Sequence, residues 1–99
     1  GYVIRDTNYR IKDLGEIDIV AEQGGVVCFV EVKTREEVGL DPFEAVDRRK
    51  QRKMIRVAQA YLIAHCKTVD VAARFDVLAV YEEADGRFKG DLLKDAFVC

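Results

Sequence analysis

Four charged residues in two short β-like runs have the right types and spacing to do chemistry together. Glu16 and Asp18 lie in GEIDIVA, and Glu31 and Lys33 lie in FVEVKTR. Each sits among valines, isoleucines or a phenylalanine rather than in a polar stretch. Opposed carboxylates repel across a sheet, so their pairing calls for something to offset the charge. A divalent cation does so well, because Mg²⁺ takes hard oxygens from one or two carboxylates together with water and substrate phosphate. A lysine beside such a pair can stabilise charge that builds in a transition state. These parts fit metal-assisted hydrolysis of a phosphodiester, with Mg²⁺ or Mn²⁺ as cofactor.

Whether the four residues meet depends on Gly24-Gly25 between the runs. Both glycines accept the positive φ that a two-residue hairpin loop demands. Gln23 then pairs with Val26, Asp18 falls opposite Glu31, and Glu16 falls opposite Lys33. A four-residue loop keeps this register, whereas a three-residue loop without a bulge flips one strand and separates the acids. The structural alternative is a plain Glu16–Lys33 cross-strand ion pair, with Asp18 and Glu31 solvated on an outer face.

Other elements must position this hairpin. Residues 2–6 read as a strand and TNYRIKD as a turn or irregular extension. In residues 16–22, Ile17, Ile19 and Ala21 alternate with Glu16, Asp18 and Val20. Residues 26–34 place Cys28, Val30 and Val32 on one face, and Val27, Phe29, Glu31 and Lys33 on the other. A helix is expected to start with Asp41 as N-cap, Pro42 in the first turn and Glu44 completing a capping box. It should run to about His65 behind an apolar stripe of Val46, Met54, Val57, Ala58, Tyr61 and Leu62. Residues 74–82 form a further strand, ADG a turn, and the remainder a short irregular segment. The order β-β-β-α-β implies a mixed sheet with at least one parallel pair.

The chain has 99 residues and a net charge of −2, which suits one domain spanning residues 1–99. The charge is unevenly spread. In RRKQRKMIR, residues 48–56, six of nine residues are basic and none is acidic. A positive stripe on an acidic body is the footprint of polyanion binding, although a solvated helix face has the same composition. Arg48, Arg49, Arg52 and Arg56 suit a phosphate backbone, as does Arg35 behind the Glu-x-Lys strand. Lys50 falls within the apolar stripe, where it either reaches towards a bound phosphate or snorkels at the margin. Asp76 is expected to be structural, with Arg74 as partner, and His65 to complement a helix end. Tyr2 and Tyr9 are expected to pack rather than stack on bases. The three cysteines lack zinc-ligand spacing, and their odd number argues against a disulfide framework. Reduced thiols and the absence of a signal-like or membrane-length apolar segment point to the cytoplasm and away from membranes.

GEIDIVA, FVEVKTR, EAVDRRK and RFDVLAV, with KDAF near the end, together resemble the YraN family. These are small bacterial proteins of the restriction-endonuclease-like superfamily, related to archaeal Holliday junction resolvases. The resemblance implies an α/β fold built on a restriction-endonuclease-like mixed sheet with a flanking helix. It also implies a nuclease core in which Asp18 and Glu31 are metal ligands and Lys33 is the catalytic lysine. The family's amino-terminal helix carries a Gly-Glu pair whose glutamate is expected to join the site. That helix would precede GYVIRDTNYR and so falls outside this sequence. The sheet face it would cover is then open to homodimerisation.

The leading expectation is therefore a metal-dependent endonuclease acting on DNA, branched or otherwise structured DNA included. A non-catalytic nucleic-acid binding module, with Arg35, Arg48, Arg49, Lys50 and Arg52 as its contacts, is the first alternative. A protein-interaction domain is the second.

Overall fold

A computed structural model describes residues 1–34, 47–66 and 71–97. Five strands and one helix are described: β1 (Val3–Ile11), β2 (Gly15–Gln23), β3 (Val26–Thr34), α1 (Arg48–Cys66), β4 (Ala73–Glu82) and β5 (Phe88–Phe97). They form one sheet in sequence order. All neighbours are antiparallel except β3 and β4, which are parallel across the α1 crossover. The mixed α/β sheet with one parallel pair is thus as expected.

Two strands exceed the expectation. β1 runs on through residues expected as a turn, with a register shift between Ile4 and Asp6 and Asn8 at φ 51°. The carboxy-terminal segment is a fifth strand rather than irregular. Its charged and glycine-interrupted sequence hides the pattern because it pairs through its backbone along one edge of β4. A shift between Phe75 and Val77 breaks that register.

The diglycine bend behaves as its chemistry requires. Gly24 and Gly25 take φ 56° and 78°, and Gln23 pairs with Val26. The turn between β1 and β2 closes with the Leu14 N–H donating to the Ile11 carbonyl at 3.0 Å.

Between Asp41 and Val46 the expected capping box and Val46 lie outside the described residues. The described helix has its own cap at Asp47, whose Oδ1 accepts the Lys50 N–H at 2.9 Å. The Gln51 N–H reaches the Asp47 carbonyl at 2.9 Å. The rest of the apolar stripe holds: Met54, Val57, Ala58, Tyr61 and Leu62 are all buried. They close one core with Val20, Val27, Phe29, Phe75 and Val77 from the sheet. Phe29 stacks on Phe75 with centroids 5.6 Å apart, and meets Tyr61 edge-on at 5.8 Å. Tyr9 also packs edge-on against Tyr61 at 4.9 Å, as expected for a packing residue. His65, at the helix end, stacks on Tyr61 at 4.3 Å.

One simple alternation fails. Ile17 and Val20, expected on opposite faces, are both fully buried in the same core. The β2–β3 pairing runs only as far as Ile19↔Val30, so β2 is free to change course below that rung. Gly15 marks the consequence, because it lies directly against the helix. A Cβ built there would stand 3.4 Å from Val57 Cγ2 and 3.6 Å from Lys53 Cβ, at φ +149°. Gly15→Ala is therefore expected to cost about 1–3 kcal/mol. A thermal melt should fall by at least about 4 °C.

On the opposite sheet face Asp76 is fully buried and paired with Arg74 at 3.1 Å, the structural role expected for it. Arg74 also donates to the Tyr2 hydroxyl at 2.6 Å and to Gln23 Oε1 at 2.8 Å. Cys28 lies beneath this network. Burial pushes its thiol pKa up against the opposing pull of Arg74, with Asp76 adding to the rise. A thiol so shifted is a packing residue rather than a nucleophile.

Candidate active site

The fork between β2 and β3 is where the candidate residues gather. Asp18 and Glu31 stand one step beyond the last paired rung, Ile19↔Val30, in the register the diglycine bend sets. In place of a further rung, Asp18 Oδ2 accepts the Val32 N–H at 2.8 Å. The aspartate thus satisfies a backbone donor that strand separation would strand. Its carboxylate is fixed at the mouth of the fork.

Glu31 is buried, with 3% of its surface exposed. Its Oε1 lies 2.7 Å from Lys50 Nζ and 3.5 Å from Lys33 Nζ. Lys33 comes from the same strand and face two residues on, while Lys50 reaches down from the first turn of α1. Burial alone would lower the Lys50 pKa. The hydrogen bond to Glu31 and the charges of Glu31 and Asp18 outweigh it, so the ammonium titrates above the usual lysine value. The Lys50 ammonium thus does not snorkel at the stripe margin. It is bonded to the acid.

Glu16, expected opposite Lys33, bonds Arg10, its partner in β1, at 2.9 Å, and the β2–β3 pairing ends at Ile19↔Val30 before reaching it. Above the fork opens a cleft of about 510 Å³, lined by Gly15, Glu16, Asp18, Asp47, Arg49, Lys50, Lys53 and Met54. Arg49 reaches this cleft. Arg48 and Arg52 are exposed on α1 but do not line it, and Arg35 lies outside the described residues. Lys53 and Asp47 join the site without having been singled out. Lys53 was legible as the residue one helical turn past Lys50 and Arg49, and Asp47 as a cap residue just before the basic run.

Asp18 lines this cleft, while buried Glu31 lies behind it on Lys50; both offer the hard oxygens that a divalent cation takes. Among the described residues no group of three or more His, Cys, Asp or Glu side chains gathers closely enough to hold a metal. No helix of the described residues is long and apolar enough to cross a membrane.

Fold and cluster define an α/β protein whose mixed sheet, covered by one helix, opens at a fork carrying two carboxylates and two lysines. The chain belongs to the uncharacterised protein family UPF0102, which matches residues 1–80, the family that the YraN resemblance implied. It is 46% identical over 86 residues to a UPF0102 protein of Acetivibrio thermocellus, covering 86% of this chain and 65% of that one. A UPF0102 protein of Chlorobaculum parvum is 45% identical over 104 residues, covering 99% and 79% respectively. One from Symbiobacterium thermophilum is 44% identical over 99 residues, covering 98% and 81%. The chain thus spans somewhat under two thirds to about four fifths of these relatives' lengths.

Proposed function

We propose that this chain carries the catalytic core of a metal-dependent endonuclease that hydrolyses DNA phosphodiester bonds, with branched or structured DNA as the substrate class. The observation that carries the reading is the fork itself, which sets Asp18 and Glu31 one step past the last paired rung with two lysines on the buried acid. Bound there, Mg²⁺ or Mn²⁺ would polarise a phosphate oxygen and offset charge in the transition state. Asp18 and Glu31 supply hard oxygens to hold it. Lys33, seated on the sheet beside Glu31, offers its ammonium to the negative charge that builds on the phosphate. Arg49 in the cleft and Arg48 and Arg52 on the same exposed helix end position the flanking backbone, with Arg35 as a further phosphate contact. Activity in the cytoplasm and a homodimeric form belong to the same reading.

The test is cleavage of a four-way junction and of linear duplex with Mn²⁺ or Mg²⁺. Expected is nicking that EDTA abolishes and that Lys33→Ala lowers at least a hundredfold. Equal cleavage by the wild type and by Asp18→Asn and Lys33→Ala would remove the active-site assignment.

A second reading, binding without hydrolysis, is favoured by the exposed Arg48 and Arg52 alone. It shares one prediction with the first. Engaging about five phosphates gives a log–log salt slope near −4.5, and replacing Arg48, Arg49 and Arg52 by alanine should flatten it by about 2.7. Fluorescence anisotropy across a salt series measures both. Binding indifferent to salt would count against nucleic acid as partner.

A further inference from the structure

We propose that Lys50 is a displaceable counter-ion for Glu31, one that competes with a divalent cation for this carboxylate and, once displaced, turns to a DNA phosphate. The inference rests on the metal-dependent reading above. Its basis is a single buried oxygen shared by two ammoniums, Glu31 Oε1 at 2.7 Å from Lys50 Nζ and 3.5 Å from Lys33 Nζ. A buried carboxylate demands a cationic partner, and a dication on Glu31 would supply one. Two ammoniums and a dication cannot crowd one carboxylate, since like charges a few ångströms apart repel strongly where water is scarce.

Anchorage decides which cation leaves. The Lys33 side chain is 14% exposed and rises from the same strand as Glu31. The Lys50 side chain is 42% exposed and reaches across from a separate element. Its stem lies along the open cleft that Asp18, Arg49 and Lys53 line, so a rotamer change carries the ammonium from the acid into solvent. From there it stands beside Arg49 and Lys53, on the route a phosphate backbone would take.

Two consequences follow from this exchange. The protein alone should hold metal less tightly than its two carboxylates would allow, because Lys50 occupies one of them. A phosphate that draws Lys50 away should strengthen metal binding, and by linkage metal should strengthen phosphate binding by the same factor. Lys50 would then restrain metal loading until substrate is in place.

The test is Mn²⁺ binding to the full chain without DNA, read from the electron paramagnetic resonance signal of free Mn²⁺. Lys50→Met and Lys50→Gln are expected to bind about tenfold tighter than wild type, whereas Lys50→Arg, which keeps the charge, should stay within about twofold. Using two neutral variants, each checked by a thermal melt, guards against one that misfolds. Wild-type binding with unchanged or weaker affinity in both neutral variants overturns the role of Lys50 and leaves the metal site standing. Absence of Mn²⁺ binding at millimolar concentration in the wild type and the neutral variants alike overturns the metal-dependent reading, and this inference with it.

Discussion

Asp18→Asn is expected to lower metal-dependent cleavage by roughly a thousandfold while leaving the melting temperature nearly unchanged. A metal ligand supports several kcal/mol of transition-state stabilisation, and each 1.36 kcal/mol is a factor of ten in rate. Losing about 4 kcal/mol gives the stated factor. The fold survives because asparagine keeps a side-chain oxygen for the Val32 N–H that Asp18 Oδ2 now accepts at 2.8 Å. Asp18→Ala removes that acceptor as well as the charge. It should lose the same activity and in addition about 1–3 kcal/mol of stability, the cost of a part-buried donor left unpaired. Together the two variants separate the role of the charge from the role in holding the fork. An asparagine variant that cleaves at the wild-type rate would end the assignment of Asp18 to catalysis, whatever its stability.

The hairpin was legible because its information is local. Two glycines that accept positive φ fix the loop, the loop fixes the register, and the register carries Asp18 and Glu31 one step past the last paired rung, Ile19↔Val30. The helix stripe was legible for the same reason, since Met54, Val57, Ala58, Tyr61 and Leu62 announce their face by spacing alone. What stayed hidden is set by contacts between elements distant in sequence. That β2 and β3 part below Ile19↔Val30 follows from β2 being drawn towards β1 and the helix, and no spacing within GEIDIVA reports it. Simple alternation therefore separates Ile17 from Val20, which the fold buries together, and gives no sign of the Arg10–Glu16 pair. Spacing alone places Lys50 oddly for a solvent-facing lysine, within the apolar stripe. Its bond to Glu31 depends on how α1 lies across the sheet, which periodicity does not specify. β5 was missed because its pairing is carried by the backbone, while its side chains, Phe88 and Leu92 among them, are largely exposed.

The two faces of the sheet answer the same electrostatic problem differently. Each buries one carboxylate, Glu31 at 3% exposure and Asp76 at 0%. Glu31 is answered by lysines, one of them half-exposed and reaching from another element. Asp76 is answered by an arginine held from several sides. The partial exposure of the Lys50 partner is what the proposed exchange of cations needs at the first acid, and the many bonds at the second suit a structural joint.

Arg74→Met is accordingly expected to cost about 3–5 kcal/mol, the loss seen when one member of a buried ion pair is removed and its partner stays charged. Arg74 Nε lies 3.1 and 3.2 Å from the two oxygens of Asp76. The same guanidinium reaches Tyr2 and Gln23, so it ties β4 to β2 and to the start of the chain. Asp76 in turn accepts the Asp95 N–H at 2.9 Å. Asp95 has φ 54° and lies in the register shift where β5 leaves regular pairing. Removing the guanidinium strands a carboxylate that also anchors the irregular end of β5, so the loss should spread to that edge. In a domain whose whole stability is about 5–15 kcal/mol, the melting temperature should fall by at least about 12 °C, at 4–8 °C per kcal/mol. Arg74→Lys should recover only part of this, because an ammonium cannot serve three partners in the planar geometry of a guanidinium. Replacing both members, Arg74→Met with Asp76→Leu, should recover more than the lysine does, since no buried charge is then left unpaired. The contrast is Arg10–Glu16, whose arginine side chain is 72% exposed and whose loss should cost at most about 1 kcal/mol. An Arg74→Met melt no lower than that of Arg10→Met would show that the second face is held by packing and not by its ion pair.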